Sequence, residues 1–149
     1  MSSADVLPYN YEDYGKEIQV YLDAAKNKSK VRFGDKAPDF SAAIDGARHL
    51  QEAGAKILQK QHKLLADSQR LNASLREAER ALLIPEGLPN RSWYRHSIYA
   101  PGQYTGYAAV VIPGVNEAID AGDLRRTDQQ IATLAAALHR AAIALEQRR

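Results

Sequence analysis

Proline and glycine are spread unevenly along this 149-residue chain, and that limits its fold more than any motif does. Four of the six prolines (Pro85, Pro89, Pro101, Pro113) and four of the nine glycines (Gly87, Gly102, Gly106, Gly114) fall within residues 84–114. Proline removes a backbone donor and clashes with the preceding helical turn, so no long helix can cross this stretch. The flanks carry apolar residues at helical spacing. The pattern predicts an all-α fold: a bundle of about four main helices, with one long loop between the third and the last.

Asn10 is placed to cap a first helix over 11–28, with Asp13 near its exposed N–H groups. Tyr14, Ile18, Tyr21, Leu22 and Ala25 form its stripe. Residues 27–38 read as a polar connection. A second helix over 40–66 carries Phe40, Ile44, Ala47, Leu50, Ala53 or Gly54, Ile57, Gln61 and Leu64. Alanine and glycine on that stripe admit close approach of another helix. A third helix, 68–83, shows Leu71, Leu75, Ala78 and Leu82, with Glu77, Glu79 and Arg80 largely off that face. A short helix over 115–121 and a long one over 128–147 complete the chain. Gly122 is a C-cap between them, and Thr127-Asp-Gln-Gln130 reads as a capping box. Ile131, Leu134, Ala135, Leu138, Ala142 and Leu145 form the last stripe.

The length suits one domain, residues 1–149, with 1–10 leading into it. Hydrophobic residues are 45 % and charged residues 26 %, ordinary for a globular chain. The absence of cysteine excludes a disulfide scaffold, a thiol nucleophile and cysteine-ligated zinc. A net charge of +2 is too small for a nucleic-acid footprint. No apolar run reaches the roughly 18–20 residues of a membrane span, and residues 1–5 lack the features of a signal peptide.

Little catalytic chemistry is visible. His49 and His62 lie among charged helical residues and read as solvated. His139 adjoins Arg140, a poor setting for a metal ligand, and no His-Glu-x-x-His spacing occurs. Neither a phosphate loop nor a nucleophile elbow is present. The chain alone is therefore expected to be no enzyme and to bind no cofactor or metal specifically.

The 84–114 segment is the exception, because it is apolar: Trp93, Tyr94, Ile98, Tyr99, Tyr104, Tyr107, Val110, Val111 and Ile112. A loop this long is uncommon within a domain unless it has a function. Arg91-Ser-Trp-Tyr-Arg-His96 could be a nucleic-acid platform. Alternatively, the segment folds back on the helices, or it docks on something outside this chain. Exposed apolar surface of this extent favours docking, with the loop ordering as it docks.

Leu83-Ile-Pro-Glu-Gly-Leu-Pro-Asn-Arg-Ser-Trp-Tyr-Arg-His-Ser-Ile-Tyr-Ala-Pro101 resembles the C-terminal domain of the glutamate carboxypeptidase II family. That family includes the transferrin receptor, and the domain is its dimerisation domain. Gly106-Tyr-Ala-Ala-Val-Val-Ile-Pro-Gly114 and Val6-Leu-Pro-Tyr-Asn-Tyr-Glu-Asp-Tyr14 are similar to further segments of it. The resemblance implies a homodimer and a larger parent protein, whose peptidase domain holds the zinc ions and is the partner on which the loop docks. It implies a docking role for Trp93, Arg95, His96 and Tyr99. It matches Tyr107 to the tyrosine of the family's substrate-holding Lys-Tyr pair, whose lysine is Gly106 here. With the later helices taken as the dimer contact, Ile131, Leu134 and Leu138 lie near or under the interface. No nucleic acid or membrane insertion is implied for this chain. Two alternatives are a non-catalytic, receptor-like binding module and a stand-alone helical adaptor. The residues do not fix a compartment; the resemblance allows an extracytoplasmic or secreted parent.

Overall fold

The computed structural model describes residues 10–63, 68–84, 87, 98–101 and 109–146. It is all-α: helices α1 (Tyr11–Phe33), α2 (Ser41–Lys63), α3 (Ser68–Ala81), α4 (Pro113–Asp120) and α5 (Leu124–Glu146). A small two-stranded ribbon, β1 (Tyr99–Pro101) with β2 (Ala109–Val111), precedes α4.

The Asn10 side chain accepts the Asp13 N–H at 3.1 Å and starts α1 as its sequence predicts. The helix then runs five residues beyond 28, because a polar sequence is no breaker: Asn27–Phe33 holds no Gly or Pro. It ends where Gly34 takes a left-handed φ of 61° and donates to the Lys30 carbonyl. Asp39 precedes α2 and accepts from the Ser41 N–H and hydroxyl, both at 2.9 Å. The backbone bond first, and the hydroxyl second, hold the Asp39 carboxyl below its ordinary range. A carboxyl depressed in this way adds stability above its unfolded-state pKa, and that stability fades as pH falls through the folded value.

α5 forms the spine. It is buried on most of its circumference, including Ile131, Leu134, Leu138, Ala141 and Leu145, and α2, α3 and α4 all pack on it. α1 lies against α2. That seam is unusually close. A Cβ on Gly15 would sit 2.7 Å from the Gln51 amide nitrogen, and one on Gly54 within 2.5 Å of the Tyr11 carbonyl carbon. The glycine that the sequence placed on the α2 stripe is thus a point of backbone-to-backbone contact. Tyr11 crosses the seam, donating its hydroxyl to the Leu75 carbonyl of α3 at 3.1 Å.

The α4–α5 corner differs from its sequence reading. α5 begins one turn before Thr127, at Leu124, and Asp123 is the cap: its side chain accepts the Arg126 N–H at 3.0 Å. Thr127 is buried inside the helix, its hydroxyl bonded back to the Asp123 carbonyl, so the 127–130 capping box does not form. Gly122 does end α4, at φ 70°. Its N–H reaches the Ile119 carbonyl and the Asp123 N–H reaches the Ala118 carbonyl, the paired bonds of a Schellman motif.

Candidate functional site

The 84–114 segment returns to the helical core at both ends. Ile84, Ile98 and Ile112 are 5 %, 0 % and 1 % exposed. The Ile112 N–H donates to the Ile98 carbonyl, and antiparallel pairing continues outward through Tyr99–Val111, Ala100–Val110 and Pro101–Ala109. The stretch is therefore not loop throughout: six of its residues form a paired ribbon, and α4 starts at Pro113 rather than 115.

Ile112 is where strand becomes helix. Its φ of 35° and ψ of 63° lie in the left-handed region, where a β-branched residue is strained. Strain of this kind persists only where the surroundings determine the geometry. Here burial of the Ile112 side chain and the bond to Ile98 do so, helped by the Asn116 side-chain amide, which donates to the Val111 carbonyl at 2.8 Å. The ribbon thus starts from a fixed junction.

Tyr107, Trp93, Arg95 and His96 lie outside the described residues, as does the Tyr99 side chain, although the Tyr99 backbone is in β1. In the chain, Tyr107 belongs to the seven residues joining β1 to β2. Ile131, Leu134 and Leu138 are 3 %, 3 % and 0 % exposed within the single chain. They pack into the protomer's own core, beneath the α5 surface. Among exposed α5 residues, Ala132, Ala136 and Ile143 are the apolar ones; Ile143 is 43 % exposed.

Three ionisable groups meet across α2 and α5. The His49 Nδ1 lies 3.0 Å from the His139 Nδ1, and the His49 Nε2 lies 2.9 Å from Glu146 Oε2. The His49 side chain is 28 % exposed and Glu146 42 %. His49 is therefore held between two partners rather than freely solvated as its sequence neighbours suggest. An ionised carboxylate only accepts, so the His49 Nε2 carries a proton. In the neutral pair, His49 Nδ1 then accepts from the His139 Nδ1–H. No sequence signal marks this contact, because His49 and His139 are 90 residues apart. Among the described residues, no group of three or more His, Cys, Asp or Glu is arranged to hold a metal ion. No described helix is long and apolar enough to cross a membrane.

The family model for the transferrin receptor-like dimerisation domain matches residues 26–146. The chain belongs to that family. Similar curated proteins carry corresponding names. A protein of Arthroderma benhamiae named "Probable glutamate carboxypeptidase" is 34 % identical over 95 % of this chain and 20 % of its own length. An Arabidopsis thaliana protein named "Probable glutamate carboxypeptidase LAMP1" is 34 % identical over 80 % of this chain and 17 % of its own. A Schizosaccharomyces pombe protein named as an inactive zinc metalloprotease is 34 % identical over 47 % of this chain and 9 % of its own. This dimerisation domain thus spans about a fifth of the length of the first of these relatives. The ribbon and its joining residues interrupt its helical sequence between α3 and α4.

Proposed function

We propose that this dimerisation domain is the self-associating helical part of a larger zinc exopeptidase-like protein of the glutamate carboxypeptidase type. In this reading the zinc ions and the catalytic groups reside in a separate peptidase domain. The 84–114 segment docks there through Trp93, Arg95, His96 and Tyr99 and completes the substrate pocket. Tyr107 donates its hydroxyl to the terminal carboxylate of the substrate. The observation that carries this reading is the mounting of the segment. A strained, hydrogen-bonded junction at Ile98 and Ile112 that pairs the two strands is more than an apolar cover over its own helices needs.

A non-catalytic, receptor-like role is the second reading. It is favoured by Gly106, which removes the cation that would pair with a side-chain carboxylate. Kinetics on the full-length protein decide between the two. Under the catalytic reading, Tyr107→Phe lowers the specificity constant by about ten- to a hundredfold, the value of one hydrogen bond to a charged group, and leaves the thermal midpoint unchanged. An unchanged constant removes Tyr107 from the substrate site, and complete inactivity of the unsubstituted protein supports the receptor-like role.

In this reading self-association uses the outward line of α5, Ala132, Ala136 and Ile143, with Ile131, Leu134 and Leu138 supporting it from beneath. Sedimentation of the 149-residue chain is expected to show a concentration-dependent dimer. Ala136→Glu should shift it to monomer with little change in thermal midpoint, since the position is exposed. A sedimentation profile unaltered by the glutamate would exclude this face.

A further inference from the structure

We propose that His49 and His139 are a two-histidine clamp for a divalent late first-row transition-metal ion, Zn²⁺, Ni²⁺ or Cu²⁺, which binds both Nδ1 atoms and ties α2 to α5. The two Nδ1 atoms face each other at 3.0 Å. Imidazole nitrogens each about 2.0–2.1 Å from one ion stand about 2.9 Å apart at a right angle and about 3.3 Å apart at the tetrahedral angle. The pair already has that spacing. The ring centroids are 5.2 Å apart and the planes are inclined at 53°. The rings have only to tip until both lone pairs converge on one point.

Two features of the surroundings prepare the clamp. A metal-ligating histidine commonly donates its other ring N–H to a carboxylate, which fixes its tautomer and orientation. His49 Nε2 lies 2.9 Å from Glu146 Oε2, and this contact turns the His49 Nδ1 lone pair toward His139. The second feature is Gly46, one turn before His49. A Cβ there would lie 3.0 Å from the Leu138 Cβ and 3.4 Å from the His139 Cδ2. The two helices are in near contact beside the ligands, so both rings stand on packed helices rather than on loops.

Binding replaces a shared proton by a shared ion. In the metal-free pair the His139 Nδ1–H donates to His49 Nδ1. When the ion binds, His139 gives up that proton and takes one on Nε2, so both rings remain neutral ligands and no net proton is released. Glu146 stays on the outer side of His49 and supplies negative charge. Water completes the coordination, so the clamp needs only two protein ligands and is distinct from the three-group arrangements that are absent among the described residues. The nearby cations are directed elsewhere, Arg48 to Asp45 at 3.2 Å and Arg140 to the Ala81 carbonyl. Imidazole favours these ions over Mg²⁺ and Ca²⁺, which take oxygen ligands.

Two measurements on the 149-residue chain test the clamp. An ion that binds the folded chain lowers the unfolding constant about a hundredfold at a concentration of about one hundred times its Kd. Denaturant unfolding at constant neutral pH should therefore show a midpoint raised by Ni²⁺ or Zn²⁺ and unmoved by Mg²⁺. His139→Gln can still donate to His49 Nδ1 but offers no second imidazole, so its midpoint should cease to respond. An equal response in that variant overturns the proposal. The second measurement, nitrogen-resolved NMR of the imidazoles in the unsubstituted chain with Zn²⁺ added, decides the matter even if the variant does not fold. The Nδ1 signals of His49 and His139 should shift together, with both rings protonated on Nε2. Shifts at one of the two rings only, at His62 and His96 alone, or at none, overturn it.

Discussion

Alanine at Gly54 is expected to destabilise the fold by about 1–3 kcal/mol, despite alanine's better helix propensity. The added Cβ would lie 2.4 Å from the Glu12 amide nitrogen and 2.5 Å from the Tyr11 carbonyl carbon. Both are backbone atoms, so no side-chain rotation relieves the clash; α1 must move off α2. That movement also pulls the Tyr11 hydroxyl from the Leu75 carbonyl, which is worth about a further 1 kcal/mol. Denaturant unfolding of Gly54→Ala beside Gly34→Ala separates the causes. A Cβ at Gly34 meets nothing within 4 Å, so that variant reports only the cost of its positive φ. A Gly54→Ala chain as stable as the parent would mean that the two helices are not held this close in solution.

Truncating Leu138 to alanine should cost about 2–5 kcal/mol, the range for deleting a fully buried leucine side chain. Leu138 is 0 % exposed and its Cβ lies 3.0 Å from the position a Cβ would occupy on Gly46, where α2 and α5 touch. The loss should appear in the unfolding midpoint of the monomer at low concentration. This contrasts with Ala136→Glu, which should change association and spare the midpoint. A Leu138→Ala chain that dissociates without losing monomer stability would return Leu138 to the intermolecular surface.

A signal in the sequence is legible as far as it acts locally. Helical spacing identified the α5 stripe correctly, but a stripe says only that one face is covered, not by what. The chain's own α2, α3 and α4 cover it, and Ile131, Leu134 and Leu138 went inward as a result. The Asn10 cap and the Gly122 stop could be read because each acts on backbone within a few residues. α1 runs past the expected residue 28 because a polar run does not break a helix, whereas Gly34 does. α5 starts before the expected residue 128 because Asp123, directly after the Gly122 turn, is the cap. The His49–His139–Glu146 contact had no local signature, since it exists only once α2 and α5 are packed. The apolar character of 84–114 was plain, yet the ribbon within it was hidden by its three-residue strands, too short for an alternating pattern to emerge.

The Ile98–Ile112 junction has a consequence for how such domains diversify. Because the strands are paired and tied to the core at Ile98 and Ile112, this pairing does not itself set the number of residues between Pro101 and Ala109. Lengthening a closed loop is thermodynamically cheap, about 0.6 kcal/mol per doubling. Changes in the number of residues joining the strands are therefore expected to cost little at the junction, so length can vary there while the pairing of Ile98 with Ile112 stays fixed.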